Sequence, residues 1–346
     1  MQALRNQWYC AALSAEIGPT PLARIFLNEP VVMYRKSDGT AVALEDRCCH
    51  RRAPLSRGQV EGDNLRCGYH GLLYDAGGRV IWAPGQEKLP PGAQVKSYPL
   101  CEKHGWTWIW MGERALADPK TAPAFHWFNA PGWASYGDCL DVKANYMLLV
   151  DNLLDLSHLA FLHIKTIGAA EDTAPELSWE RGANFVRGVR IARNLSPSAR
   201  QIAIGDNTRT DTTKIMTFTP PGNVVIEIHT VETGKKPDDP SNRVNRKLVV
   251  LDSMTPETDT SCHYFWASCR DYAVDDQAMS EMMKRSTQTA FDEDRFMLEA
   301  EQRIIDLNPA APQIDLVGDA GGLQARRLVE RLLAEERVQP SAAAAE

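Results

Sequence analysis

The chain has 346 residues, 44% hydrophobic and 24% charged, with a formal net charge of −7. That composition suits a globular protein with room for two domains, and an acidic balance with no basic block argues against a nucleic-acid partner. No apolar run reaches membrane-spanning length and no charged-then-apolar leader follows Met1, so the expectation is a cytoplasmic protein that engages no membrane.

Taken in chain order, the first third reads as short strands: Arg24 to Leu27, Val31 to Arg35 and Ala41 to Glu45, separated by Asn28-Glu29-Pro30 and the hairpin signal Ser37-Asp38-Gly39. Two cysteine–histidine pairs follow, Cys48-Cys49-His50 and Cys67-Gly68-Tyr69-His70. Two thiolates and two imidazoles suit one zinc ion or a [2Fe–2S] cluster of the kind in which histidines replace cysteines on one iron. Cys48 keeps the C-x-H spacing, which leaves Cys49 as a passenger. Strands resume at Val80 to Trp82, Val95 to Tyr98 and Trp106 to Met111, where alternating tryptophans predict a half-buried strand. This describes a small antiparallel β domain over residues 1–114, with a linker at Ala115 to Pro123. The other cysteines, Cys10, Cys101, Cys139, Cys262 and Cys269, are scattered among apolar neighbours and read as small buried hydrophobes. A reducing compartment fits all eight.

The second region, 115–338, mixes helices and strands. Tyr146 to His163 is a helix candidate, Lys214 to Phe218, Val224 to Val231, Arg246 to Leu251 and Ser261 to Ser268 read as strands, and long helices are expected from about Asp276 to Leu307 and about Gly322 to Glu336. The tail, 339–346, is expected to be disordered. Asp155 and His158 share a helical face at i,i+3, but His163 lies five residues further on. Both imidazoles can meet one metal only if the helix ends or bulges between them. Taken on its own, the motif is better explained by a core Asp–His hydrogen bond.

The long C-terminal helix adds a carboxylate. Its apolar stripe runs through Met279, Met283, Thr287, Ala290, Phe291, Met297, Leu298 and Ile305; at about 100° per residue, Asp294 falls in the centre of it, Asp292 and Glu293 point away, and Glu301 lies near enough to be the runner-up. A buried carboxylate is paired or metal-bound. Two histidines and one carboxylate make the facial set of mononuclear iron(II) oxygenases, with a buried salt bridge as the competing explanation.

These constellations, with Arg5 to Tyr9, Arg51 to Ser56, Gly71 to Asp75, Ile81 to Gln86, Lys96 to Pro99, Asp151 to His158, Phe291 to Glu299 and Asp319 to Gly322, resemble the oxygenase component of Rieske non-haem iron monooxygenases. The likeness is greatest to the vanillate O-demethylase and toluenesulfonate methyl-monooxygenase group. The resemblance implies an α+β fold: a small antiparallel β Rieske domain, then a helix-grip-like catalytic domain of antiparallel sheet and long helices. It makes Cys48 and Cys67 ligands of one cluster iron, His50 and His70 ligands of the other, and His158, His163 and Asp294 ligands of the mononuclear iron. Asp155 would bridge a cluster histidine to His158 across neighbouring subunits of a homotrimer, and Asn152, one turn before it, would face the iron.

The implied reaction uses dioxygen and electrons from an NAD(P)H-dependent flavin and iron–sulfur reductase. It hydroxylates a methoxy carbon of an aromatic acid, releasing formaldehyde, or alternatively an aryl methyl carbon. The strand Val224 to Val231 with His229, and Cys262 to Trp266 with His263, are candidate pocket walls. Competing readings are a Rieske electron carrier, against which the long second region speaks, a structural zinc module, and a ring dihydroxylase.

Overall fold

The computed structural model describes residues 3–338; the tail 339–346 lies outside the described residues. The chain divides into two compact units, residues 3–124 with 255–258, and residues 125–254 with 259–338.

The first unit is built from short antiparallel strands: β1 (Trp8–Leu13), β2 (Leu22–Phe26), β3 (Glu29–Arg35), β4 (Ala41–Glu45), β5 (Gln59–Glu61), β6 (Asn64–Arg66), β7 (Leu73–Tyr74), β8 (Val80–Trp82), β9 (Ser97–Tyr98), β10 (Leu100–Lys103) and β11 (Trp106–Trp110). They form three sheets, ordered β1-β11-β10, β2-β3-β4-β9 and β5-β6-β7-β8. Leu27 and Asn28, with φ of 53° and 63°, make the tight two-residue turn that closes the β2–β3 hairpin. Because side chains alternate along a strand, β3 supplies two cores: Val31 and Met33 pack with Phe26 and Ile109, while Val32 and Tyr34 pack with Leu44, Cys48, Cys67 and Tyr74. The β11 tryptophans, expected to be half-buried, belong to a strand buried throughout, because β1 and β10 flank it and both its faces are covered.

The second unit carries β12 (Ala134–Val142), α1 (Tyr146–Leu154), β13 (Glu176–Arg181), β14 (Val186–Leu195), α2 (Ala199–Ala203), β15 (Thr210–Thr219), β16 (Asn223–Glu232), β17 (Asn245–Thr258), β18 (Ser261–Arg270), α3 (Gln277–Leu307) and α4 (Ala320–Val338). One seven-stranded antiparallel sheet runs β12-β18-β17-β16-β15-β14-β13. A single core joins it to the helices: Met216, Phe218, Val224 and Trp266 from the sheet meet Leu149 and Leu153 of α1, Phe291 and Leu298 of α3, and Leu328 of α4.

The helix expected over Tyr146 to His163 ends at Leu154. Asp155 leaves helical geometry, at φ −108° and ψ 96°, and its carboxylate accepts from the Ser157 N–H and hydroxyl. It thereby caps a new short 3-10 turn, Leu156–Ala160, the competition with helix that Asp and Ser are known for. α3 begins where expected, with Asp276 as its N-cap accepting from the Met279 N–H at 2.8 Å. Among the described residues no helix is long and apolar enough to cross a membrane.

Candidate metal centres

In the first unit the two cysteine loops repeat one hydrogen-bonding pattern. Cys48 N–H donates to Ala53 O and Cys67 N–H to Leu72 O, each at 2.8 Å, while Arg52 N–H returns to Cys48 O and Gly71 N–H to Cys67 O. The residue four past each cysteine is left-handed, Arg52 at φ 59° and Gly71 at 75°. The match pairs Cys48 with Cys67 and sets Cys49 aside. Both thiols are buried, whereas His50 and His70 are exposed, their ring centroids 4.6 Å apart. The buried Tyr74 hydroxyl donates to Cys48 Sγ at 3.1 Å; burial pushes the phenol pKa far up and keeps that proton in place. Ligands of one tetrahedral ion would all crowd together, yet these four are not among the groups whose ligand atoms converge within 4.8 Å. Two close pairs suit a two-iron cluster better than one zinc ion.

In the second unit His158, His163 and Asp294 do converge within 4.8 Å. Asp294 Oδ1 lies 3.0 Å from His163 Nε2 and 3.6 Å from His158 Nε2, near the roughly 3 Å separation that bonds of about 2 Å impose on adjacent ligands of one ion. The helix break at Asp155 makes this meeting possible, since His158 sits on the short turn and His163 beyond it. Each imidazole has its second nitrogen occupied. His158 Nδ1 lies 2.8 Å from the Asp155 main-chain carbonyl, an acceptor that requires a proton on Nδ1 and leaves Nε2 free to ligate. His163 Nδ1 lies 2.7 Å from Glu293 Oε2, which also accepts from Thr166 Oγ1. Burial draws the His158 pKa down, against the pull of Asp294. For His163, burial is outweighed by its hydrogen bonds to Asp294 and Glu293, and the pKa is raised.

Asn152 is brought to the same place, its amide donating to Asp294 Oδ1 at 3.0 Å. Glu293, expected to point away, reaches the site instead, because His163 approaches α3 from the side, off the helix that was expected to carry it. Glu301 is not at the site; it lines a separate cleft with Asp151 and Arg326. The sequence-based pocket walls need correction too. Ile226, Ile228 and Thr230 of β16 do line the cavity beside the site, but His229 alternates to the other face and bonds Asn245. His263 pairs with Asp141 at 2.8 Å, away from that cavity. Of the five scattered cysteines, Cys10, Cys262 and Cys269 are buried, while Cys101 and Cys139 are partly exposed.

The chain matches the Rieske [2Fe-2S] domain over residues 7–99 and the vanillate O-demethylase oxygenase C-terminal domain over residues 142–335. It belongs to the Rieske non-haem iron oxygenases. Within them it falls in the vanillate O-demethylase and toluenesulfonate monooxygenase group. It is 37% identical to the iron-sulfur subunit of the toluene-4-sulfonate monooxygenase system of Comamonas testosteroni, over 96% of this chain and 98% of that one. It is also 37% identical to the vanillate O-demethylase oxygenase subunit of a Pseudomonas strain, over 90% and 96%. The crystal structure of dicamba monooxygenase with non-haem iron and dicamba superposes with a TM-score of 0.81 at 32% identity, covering 96% of this chain and 98% of that one. The cofactors of this Rieske oxygenase are accordingly a [2Fe–2S] cluster and a mononuclear non-haem iron, and both residue sets fit them.

Proposed function

We propose that this chain is the terminal oxygenase component of a Rieske monooxygenase that hydroxylates a methoxy carbon of an aromatic acid. His158, His163 and Asp294 hold the iron; Cys48 and Cys67 hold one cluster iron, and His50 and His70 the other. When bound, these groups supply dioxygen activation and the electrons for it. An ArOCH3 group, dioxygen, two electrons and two protons give ArOH, formaldehyde and water, with an NAD(P)H-dependent flavin and iron–sulfur reductase as the electron donor. The Asp155 carbonyl holds the His158 tautomer, Glu293 orients His163, and Asn152 steadies the Asp294 carboxylate. The mostly apolar walls of the adjoining cavity, among them Leu153, Ile226, Leu248 and Phe291, exclude water and take an aromatic ring.

The observation that carries this reading is the His–His–Asp set at a cavity of about 200 Å³, on a chain that also bears the paired cysteine loops. The test is iron and acid-labile sulfide on anaerobically purified protein, then formaldehyde release from methoxybenzoates with a ferredoxin-type reductase. Zinc without sulfide would end the reading. A second reading, hydroxylation of an aryl methyl group, is favoured by the 37% identity to the toluene-4-sulfonate system subunit; its product is a benzylic alcohol without formaldehyde.

A further inference from the structure

The cavity beside the His–His–Asp set carries three cations on its wall, Arg200, Lys214 and Arg246, and they are not equivalent. Arg246 is paired with Asp206 at 2.7 Å. Lys214 lies 3.4 Å from Asp172, a carboxylate it shares with Arg190 at 2.6 Å. Arg200 differs: its Nε donates to Ser286 Oγ at 2.9 Å and its Nη2 to Thr287 Oγ1 at 3.1 Å, both neutral. No carboxylate among the described residues pairs with it. Burial draws even this guanidinium's pKa down, with Tyr136 and Tyr272 nearby. A half-buried cation without a counter-charge still carries a cost, and such groups are ordinarily paired. The local balance is positive on the second count as well, since Arg190 and Lys214 divide one carboxylate between them.

Position strengthens the case. The Arg200 partner Thr287 and the site residue Asp294 stand seven residues apart on α3, on the same face and about 10 Å apart along the axis. Phe291 lies between them and lines the cavity. A single benzene ring with a substituent at each end matches that span. A guanidinium at one end presents a planar fork suited to a compact oxyanion.

We propose that Arg200 is the specificity-determining residue that binds the carboxylate or sulfonate of the substrate, placing the opposite side of its ring at His158, His163 and Asp294. This rests on the oxygenase reading above and adds the residue that selects the acid. Lys214 contributes to the positive field but keeps its own partner.

The experiment is equilibrium binding of 4-methoxybenzoate, toluene-4-sulfonate and the neutral methyl 4-methoxybenzoate to the iron-loaded, full-length protein. It is repeated on Arg200→Gln and Arg200→Lys, with iron content and cluster absorbance confirming that each variant is folded. Wild type should prefer an anion over the neutral ester, and R200Q should weaken anion binding by roughly tenfold to a hundredfold while leaving the ester unchanged. R200K should recover part of the loss. The better-bound of the two anions identifies the acid class. An R200Q variant that keeps the anion preference, or a wild type without one, overturns the proposal. Arg200-dependent binding with no oxygenated product would instead overturn the oxygenase reading and leave the anion site standing.

Discussion

Asp294 is 6% exposed on the packed face of α3, and its carboxylate is held by His163 and Asn152 rather than by an arginine. Asp294→Asn should therefore lose the mononuclear iron and all turnover while the cluster's iron and sulfide are unchanged, as metal analysis and EPR would show. Glu293→Gln removes the charged acceptor behind His163; iron affinity should fall about 10- to 100-fold, read by titrating iron(II) into metal-depleted protein. Asp155→Asn should keep both metals but slow electron transfer between cluster and iron, a result that stopped-flow reoxidation of the reduced cluster would reveal. Normal single-turnover rates in that variant would remove Asp155 from the electron route. Asp294 was legible in the sequence because a carboxylate in an apolar stripe is anomalous, whereas His158 and His163 pointed to a metal only alongside it and the family resemblance. Glu293 was not, since the helical wheel reads only directions from one axis and cannot foresee a loop arriving from the side. Arg200 was invisible for a different reason: what marks it is a partner it lacks, and only three dimensions show that.

At the level of elements, the Gly321-Gly322 pair opens α4 where the chain must approach its neighbours closely. A Cβ on Gly321 would lie 2.0 Å from the Trp179 ring, and one on Gly322 would lie 2.6 Å from Asp151 Oδ1. Gly321→Ala should cost about 1–3 kcal/mol through overpacking, seen as a lowered midpoint in urea. β15 yields a pH-dependent prediction. Burial brings the Lys214 ammonium from 10.5 down to about 8, with Asp172 opposing and Arg190 adding to the shift. Between those pH values the unfolded chain binds more protons at this residue than the folded one, so its contribution to stability rises with pH there and is flat below. Lys214→Met should erase that rise in melting temperature between pH 8 and 10. In the second unit, helices α3 and α4 and strands β15 to β18 were readable from periodicity. β12, β13 and β14 were not: Gly137 with two aspartates interrupts the first, and Gly188 with several arginines interrupts the third. The second, Glu176–Arg181, is largely exposed and offers little apolar alternation.

For the whole molecule, the expected assembly is a trimer in which Asp155 serves a neighbouring subunit's cluster histidine. Sedimentation should give about three times the 38.5 kDa chain mass; a monomer with full turnover would refute the shared-site arrangement. The order of the two regions could be read from the sequence, and their chemistry from the ligand spacings together with the flanking segments that carry the family resemblance. Substrate choice could not, because it is distributed over walls drawn from α1, α2, α3 and four strands. One further property follows from the break after Leu154. The stretch carrying both imidazoles is held by short-range turns, such as Phe161 N–H to His158 O and Gly168 N–H to His163 O, rather than by a continuous helix. Such stretches open locally at little cost, and a bound ion closes them by mass action. Amide exchange across residues 156–168 therefore gauges how fully the protein is metallated, independently of turnover, and iron lost during handling should be replaceable without refolding the rest.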